Sequence, residues 1–181
     1  MKNRISQFQS TRGRLVHSCR LTPGGDSGRA SLGKILVPID FTAESRKAFQ
    51  YATQLARRYG ARISLVHVVE PIVFQADYGY GPVVRRVPNQ EAIKRAKTRL
   101  QRFGEEIIGT RWLADCVVRS GIAFFEIAEA ARLTKSDLII IGAHGHTGFE
   151  RPDLSGTAEK IIRHAPCPVL VVHRKEHEFT L

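Results

Sequence analysis

The chain has 181 residues, of which 43% are hydrophobic, and carries a formal net charge of +11. That length fits one domain, and the apolar share is sufficient for a buried core. No apolar run approaches the ~18 residues of a membrane span, and the three cysteines form no C-x-x-C pair. We therefore expect a globular cytoplasmic protein with free thiols and no membrane or disulfide framework.

The charge is concentrated at the beginning of the chain. Residues 1–33 hold six basic residues and one acid, which leaves 22 basic and 16 acidic residues for the remainder. We interpret residues 1–33 as a disordered basic arm before a domain at 34–176. An organellar transit segment and a start codon assigned too far upstream are alternatives. Because the other charges are spread over helices with few aromatics, we do not expect a nucleic-acid partner.

The first half of the domain alternates strand and helix patterns. The run KILVPID (34–40) predicts a buried strand, and a helix follows from an N-cap at Thr42 to a glycine stop at Gly60. RISLVHVVEP (62–71) predicts the second strand. Residues 72–88 contain prolines and glycines without a period, so we predict a long loop there.

The second half continues this alternation, beginning with a basic amphipathic helix behind an asparagine cap. The order predicts a five-stranded parallel sheet with helices on both faces, which is a doubly wound Rossmann-like or flavodoxin-like α/β fold. The predicted elements are helix 89–109, strand 111–121, helix 122–137, strand 137–142, helix 155–165 and strand 167–174.

The segment Gly142–Ser155 leads from the fourth predicted strand into a helix that begins near Gly156 and Thr157. In an open parallel sheet, ligands bind beyond the carboxyl ends of the strands, and a helix N-terminus there offers N–H groups to phosphate. Glycines 142, 145 and 156 would let the backbone approach such a group. The Thr157 hydroxyl could donate to a phosphate or ligate a Mg²⁺ ion. From the residues alone, these glycines fit simple turn and cap positions equally well.

Other polar side chains give weaker indications. Asp40, at the carboxyl end of the first strand, could accept from a ribose hydroxyl, hold a metal-bound water, or cap the next helix beside Thr42. His144 and His146 alternate on a loop without a cysteine or carboxylate at a fixed offset, which favours exposed histidines over a metal site. No nucleophile, base and acid are paired, so we expect no dedicated catalysis.

Three segments together carry a family resemblance: KILVPIDFTAES, LVHVVEP and SDLIIIGAHGHTGFERPDLSGTAEKIIRHAPCPVLVV. In this order, over 34–174, they resemble the universal stress protein family. The resemblance implies an adenine nucleotide alpha-hydrolase-like fold, frequent dimers, and a division into ATP-binding and non-binding branches. The ATP-binding branch is marked by G-x2-G-x9-G-(S/T). Gly142, Gly145 and the Gly156–Thr157 pair match it, but ten residues (146–155) separate the second and third glycines.

The resemblance also implies a ligand site. Four residues would line the adenine and ribose pocket, four would continue under the sugar and phosphates, and three would offer N–H groups to the phosphate tail. In that order they are Pro38, Ile39, Asp40 and Val68; Ile141, Gly142, His144 and Gly145; and Gly156, Thr157 and Ala158.

Three functions follow from this pattern. The first is a stress-response regulator that binds ATP, with or without Mg²⁺, and changes its protein contacts when nucleotide is bound. The second is a nucleotide-free dimeric scaffold, which the longer glycine loop favours. The third is an enzyme of the wider alpha-hydrolase group, but PIDFTAES occupies the place of the SGGxDS loop that such an enzyme requires.

The last predicted strand is apolar and would lie at an edge of the sheet. An uncovered apolar edge invites pairing with a second copy across a two-fold axis. We therefore expect a homodimer built on residues 168–173.

Overall fold

The computed structural model describes residues 32–77, 82–143 and 156–173, with backbone alone for 72–77 and 82–86. These residues belong to Ser31–Leu181, the larger of two units into which the contacts divide the chain. The predicted basic arm, apart from its last two residues, lies outside the described part.

Seven strands and four helices follow one another along the described residues, and we number each type in chain order. They are β1 (Lys34–Pro38), α1 (Ala43–Tyr59), β2 (Arg62–Val69), β3 (Ile72–Asp77), β4 (Pro82–Val87), α2 (Gln90–Ile108), β5 (Leu113–Ser120), α3 (Ala123–Thr134), β6 (Leu138–Gly142), α4 (Gly156–His164) and β7 (Val169–Val172).

The main sheet has five strands in the order β5-β2-β1-β6-β7, and every neighbouring pair is parallel. The predicted five-stranded parallel sheet is therefore confirmed. Numbered only within this sheet, the order is 3-2-1-4-5, which is the Rossmann rather than the flavodoxin arrangement. The direction of strand addition reverses at β1, since β2 and β5 lie on one side and β6 and β7 on the other.

The core has a layer on each face of the sheet, because successive strand residues point to opposite sides. One cluster joins the sheet to α1 and α2, and the other joins it to α3 and α4. Helices therefore cover both faces, as the sequence predicted. The first cluster includes Ile35, Val37, Phe49, Leu65 and Leu100, and the second includes Leu36, Ile127, Ile139, Ala158 and Ile161.

Local capping fixes the helix ends where the sequence predicted them. The Thr42 hydroxyl accepts from the Ser45 N–H at 3.2 Å, and the Asn89 side chain accepts from the Ala92 N–H at 3.0 Å. Gly60 ends α1 with a φ of 74°, a left-handed conformation that glycine adopts without a Cβ penalty. The Thr42 and Asn89 side chains thus accept from backbone N–H groups that the helix itself leaves unpaired.

The predicted long loop at 72–88 is wrong. Strands β3 and β4 form an antiparallel pair of their own, with register from Ile72 opposite Val87 to Asp77 opposite Pro82. Pro82 lies at the first position of β4, where a missing N–H interrupts little of the ladder. Two short strands around a Gly-Tyr-Gly sequence (79–81) are typical of a hairpin.

In the described ranges, no helix combines the length and apolar character needed to cross a membrane.

Candidate functional site

The carboxyl ends of β1 and β6 form the switch point of the sheet. The two strands are direct neighbours, with Ile35 opposite Leu138 and Leu36 opposite Ile139. Pro38, Ile39 and Asp40 therefore leave the sheet beside Ile141 and Gly142. In open α/β sheets, the crevice at this reversal is where ligands bind. The structure thus brings together five residues that the sequence assigned to the site.

The turn after β1 is held by its own polar groups. The Ile39 N–H donates to the Val66 carbonyl at 2.8 Å, which continues the ladder beyond Pro38. The Asp40 Oδ1 atom accepts from the Thr42 N–H at 3.0 Å and from the Thr42 hydroxyl at 2.6 Å. Asp40 therefore orients Thr42, which is the residue that caps α1, rather than capping the helix itself. The contact between Asp40 and a ribose hydroxyl stays a prediction. Both bonds from Thr42 go to the Oδ1 atom, so the other carboxylate oxygen could accept from a ribose hydroxyl.

Phe41 adopts a φ of 66° in this turn, which is uncommon for a bulky residue. Its ring centroid lies 5.0 Å from that of His67 and 5.8 Å from that of Phe103, and the Arg99 guanidinium carbon lies 3.8 Å from the ring centroid. The His67 Nδ1 atom donates to the Ile39 carbonyl at 2.6 Å. No local pattern in the sequence indicates these contacts, because they join the turn after β1 to β2 and α2.

Val68, the predicted adenine contact, is a half-buried residue near the end of β2 that packs against the second core cluster. Its partner in the β5 register is Arg119. The Arg119 Nε atom donates to Glu126 Oε2 at 2.5 Å, and both side chains are mostly shielded, with 28% and 16% of their surfaces exposed. Val68 therefore lies beside Arg119 of β5, whose side chain is paired with Glu126 of α3, and its contact with adenine stays a prediction.

Helix α1 packs so closely against Gly142 that it leaves no room for a side chain there. A Cβ atom there would lie 3.0 Å from both the carbonyl carbon and the Cβ of Glu44 in the first turn of α1. Such contacts are too close for ordinary packing, so α1 accounts for a glycine at this position without a ligand. Its predicted approach to the sugar and phosphates stays a prediction.

Helix α4 begins on the other side of the crevice. Ala158 is fully buried in the same cluster as Ile141, which joins the first turn of α4 to the end of β6. A Cβ atom on Gly156 would meet nothing within 4 Å among the described atoms. The first N–H groups of a helix have no intrahelical acceptor and carry a partial positive charge. Gly156, Thr157 and Ala158 can therefore present amides to an anion. His144 and Gly145 lie outside the described residues.

The family model of universal stress proteins matches residues 32–173. The chain belongs to the universal stress protein family. The universal stress protein MJ0531 of Methanocaldococcus jannaschii is 33% identical over 150 residues, which cover 80% of this chain and 84% of that protein.

Solved universal stress proteins have the same fold. The protein UspA from Lactobacillus plantarum is similar with a TM-score of 0.58 and 25% identity, over 80% of this chain and 99% of that one. The protein from Archaeoglobus fulgidus in complex with dAMP gives a TM-score of 0.55 and 21% identity, over 78% of this chain and 98% of that one. Together with the family match, these likenesses agree with the sheet order described above.

Two surface pockets of this universal stress protein domain lie away from the switch point. One, of about 220 Å³, lies between α3 and α4 and is lined by Phe124, Phe125, Arg132 and His164 among others. The second, of about 410 Å³, follows the basic face of α2. Residues 144–155, which connect β6 to α4 in the chain, lie outside the described residues.

The histidines and thiols of the described part have structural partners. His164 Nδ1 donates to the Lys160 carbonyl at 2.7 Å, and no group of three metal-ligating side chains occurs in the ranges that the structure describes. Burial, with smaller contributions from Glu105 and Asp115, raises the pKa of Cys116 to about 11. Burial likewise raises the pKa of Cys167. A raised pKa favours the protonated thiol at neutral pH, which is the less nucleophilic form.

Proposed function

We propose that this universal stress protein binds an adenine nucleotide, ATP with or without Mg²⁺, in the crevice between the ends of β1 and β6. Bound nucleotide would change the surface that partner proteins contact. One observation carries the proposal: the strand order reverses at β1, and α4 begins beside that point. The proposed role is regulation through binding, without turnover of the nucleotide.

The base and sugar would contact the ends of β1 and β2. Pro38 and Ile39 are buried and Val68 is half-buried, so they offer an apolar floor to an adenine ring. Asp40 would accept a hydrogen bond from a ribose hydroxyl while its Oδ1 atom keeps the two bonds from Thr42. The rigid turn supports this role because the carboxylate is already oriented before a ligand arrives.

The phosphates would lie at the first turn of α4. Gly156 has open space where a side chain would otherwise stand, and Thr157 is half-buried in the first helical turn. Amides at this end stabilise phosphate oxygens through hydrogen bonds and the helix dipole. The Thr157 hydroxyl would donate to a phosphate oxygen or ligate a Mg²⁺ ion held by the phosphates.

The complex of the Archaeoglobus fulgidus relative with dAMP supports an adenine nucleotide as the ligand class. We propose ATP in particular because the glycines at 142, 145 and 156 match the glycine pattern of the ATP-binding branch.

The test is a calorimetric titration of the full chain with ATP, with and without Mg²⁺, and with GTP to probe base selectivity. We expect ATP to bind and GTP to bind more weakly. Thr157→Val removes one hydroxyl and should weaken ATP binding about tenfold, because hydrogen bonds to charged groups contribute roughly 1.5–3 kcal/mol. Thr98→Val makes the same change on exposed α2 and should leave the affinity unchanged. Absence of heat at millimolar nucleotide would reject the proposal.

A second function, a nucleotide-free dimeric scaffold, is favoured by two observations. The segment between Gly145 and Gly156 has ten residues where the ATP-binding pattern has nine, and Leu170 is 39% exposed on edge strand β7. Native mass spectrometry of the purified protein separates the two functions. The scaffold predicts a dimer without bound nucleotide and no rise in melting temperature with ATP, whereas a nucleotide site adds about 2.7 kcal/mol of stability when free ligand is at about 100 times its Kd.

A further inference from the structure

The exposed face of α2 carries a basic groove that the nucleotide site does not use. Its lining residues are Lys94, Arg95, Thr98, Arg99 and Arg102, and they enclose about 410 Å³. All five side chains are exposed. Their successive spacings alternate between one and three residues, which places them along one stripe of the helix. We call this stripe the α2 groove.

No ion pair between described residues involves a cation of the α2 groove. The ion pairs in the described ranges are Arg119 with Glu126, Arg132 with Glu129, and Arg163 with Glu159, and all three lie elsewhere. Four cations within about 12 Å of helix repel one another, and a bound anion would relieve that repulsion. The groove is therefore electrostatically suited to an anionic partner.

Stacking on aromatic rings orients the arginines at one side of the groove. The Arg99 guanidinium lies 3.8 Å from the centroid of the Phe41 ring, and the Arg46 guanidinium of α1 lies 4.8 Å from that of Phe103. The two rings are themselves in edge contact at 5.8 Å. A guanidinium held over a ring loses less freedom when its N–H groups bind a carboxylate or phosphate.

The length and the ends of the stripe limit the kind of anion. Glu91 precedes it, and Glu105 and Glu106 follow it on the same helix. These carboxylates would repel a polyanion that continued along the helix, such as a nucleic-acid strand. The cationic stretch between Lys94 and Arg102 rises about 12 Å, which matches about four residues of extended peptide. The wall of the groove is mainly the aliphatic stems of its lysine and arginines, which suits a chain with carbon between its charges.

We propose that the α2 groove binds a short acidic segment of a partner protein, with Arg95, Arg99 and Arg102 donating to its carboxylates. The site is separate from the nucleotide crevice and does not require it. Phe41 touches Arg99 on one side and lies between Asp40 and Thr42 in the chain, so it connects the two sites. A change of partner affinity on nucleotide binding would follow from that contact, and this coupling alone rests on the proposed function.

The test is fluorescence anisotropy of the full chain with a labelled peptide that contains four glutamates in a row, without nucleotide. We expect saturable binding that weakens as salt is raised, because the contacts are exposed charges. The double variant Arg95→Gln and Arg102→Gln should weaken binding at least tenfold. The double variant Lys160→Gln and Arg163→Gln removes the same charge from α4, on the opposite face of the sheet, and should change the affinity less than twofold.

Three results would overturn the proposal: no peptide binding, an equal loss in both double variants, or tighter binding of a labelled oligonucleotide of the same charge. An equal loss would mean that only net charge matters, and tighter oligonucleotide binding would mean that the partner is a nucleic acid. Because the experiment contains no nucleotide, a failure of peptide binding would not contradict the proposed nucleotide site between β1 and β6. Conversely, a chain that binds no ATP can still bind the peptide.

Discussion

Gly142 and Gly156 stand at the two ends of the segment that the glycine pattern marks, and their surroundings are opposite. Gly142 packs against the backbone of Glu44, whereas Gly156 faces open space. A sequence pattern treats them alike, because it records that a side chain is missing and not what excludes it. The structure separates a glycine that helix packing requires from one at which a Cβ would meet no described atom within 4 Å.

This difference predicts the effect of adding one methyl group at each position. Gly142→Ala should lower the free energy of unfolding by about 1–3 kcal/mol, since the new Cβ would press on α1 and force a local shift. Gly156→Ala should change it by less than about 0.5 kcal/mol, as for most surface substitutions. Urea denaturation of both variants beside the unchanged protein measures the two values. Equal losses would contradict the packing role assigned to Gly142.

At the same scale, the sequence identified Asp40 and Thr42 but not Phe41 or His67. Polar residues at a strand end have local reasons to be there, which a sequence shows through capping and turn preferences. The φ of 66° at Phe41 depends instead on contacts with β2 and α2, which are distant in the chain. Positive φ in a bulky residue has no local signature, so only the structure reveals it.

Periodicity and caps in the sequence predict the five strands of the main sheet and the four described helices, but they do not predict the β3–β4 pair. A buried parallel strand is a continuous apolar run, and an amphipathic helix repeats at 3.6 residues, so both are visible locally. The strands β3 and β4 pair with each other outside the main sheet, and their prolines and glycines resemble those of a loop. The sequence did not predict the order of the strands in the sheet, because that order depends on which strands meet after folding.

The cap of α2 gives a prediction at the scale of one element. Asn89→Ala removes the acceptor of the Ala92 N–H and should cost about 1 kcal/mol of unfolding free energy. Asn89→Ser keeps an acceptor at the same position and should recover most of that loss. Thermal unfolding followed by circular dichroism measures both variants. A stability loss in Asn89→Ser as large as that in Asn89→Ala would show that the cap is not the cause.

For the whole molecule, we expect a homodimer through residues 168–173. Strand β7 lies at one edge of the sheet, and Leu170 is exposed on it. Leu170→Lys should give monomers in light scattering, because it adds a charge to an apolar edge. Ile162→Lys introduces the same charge at an exposed apolar residue of α4 and should leave the dimer intact. A dimer that persists in Leu170→Lys would move the interface to another surface.

The central claim is that the strand reversal and the first turn of α4 form one adenine-nucleotide site. Amide chemical shifts of the labelled full chain, recorded while ATP and Mg²⁺ are added, test it most directly. The account predicts that the amides of Gly156, Thr157 and Ala158 shift together with that of Asp40, with one common dissociation constant. Unchanged shifts at those four amides, with ATP in millimolar excess, would contradict it.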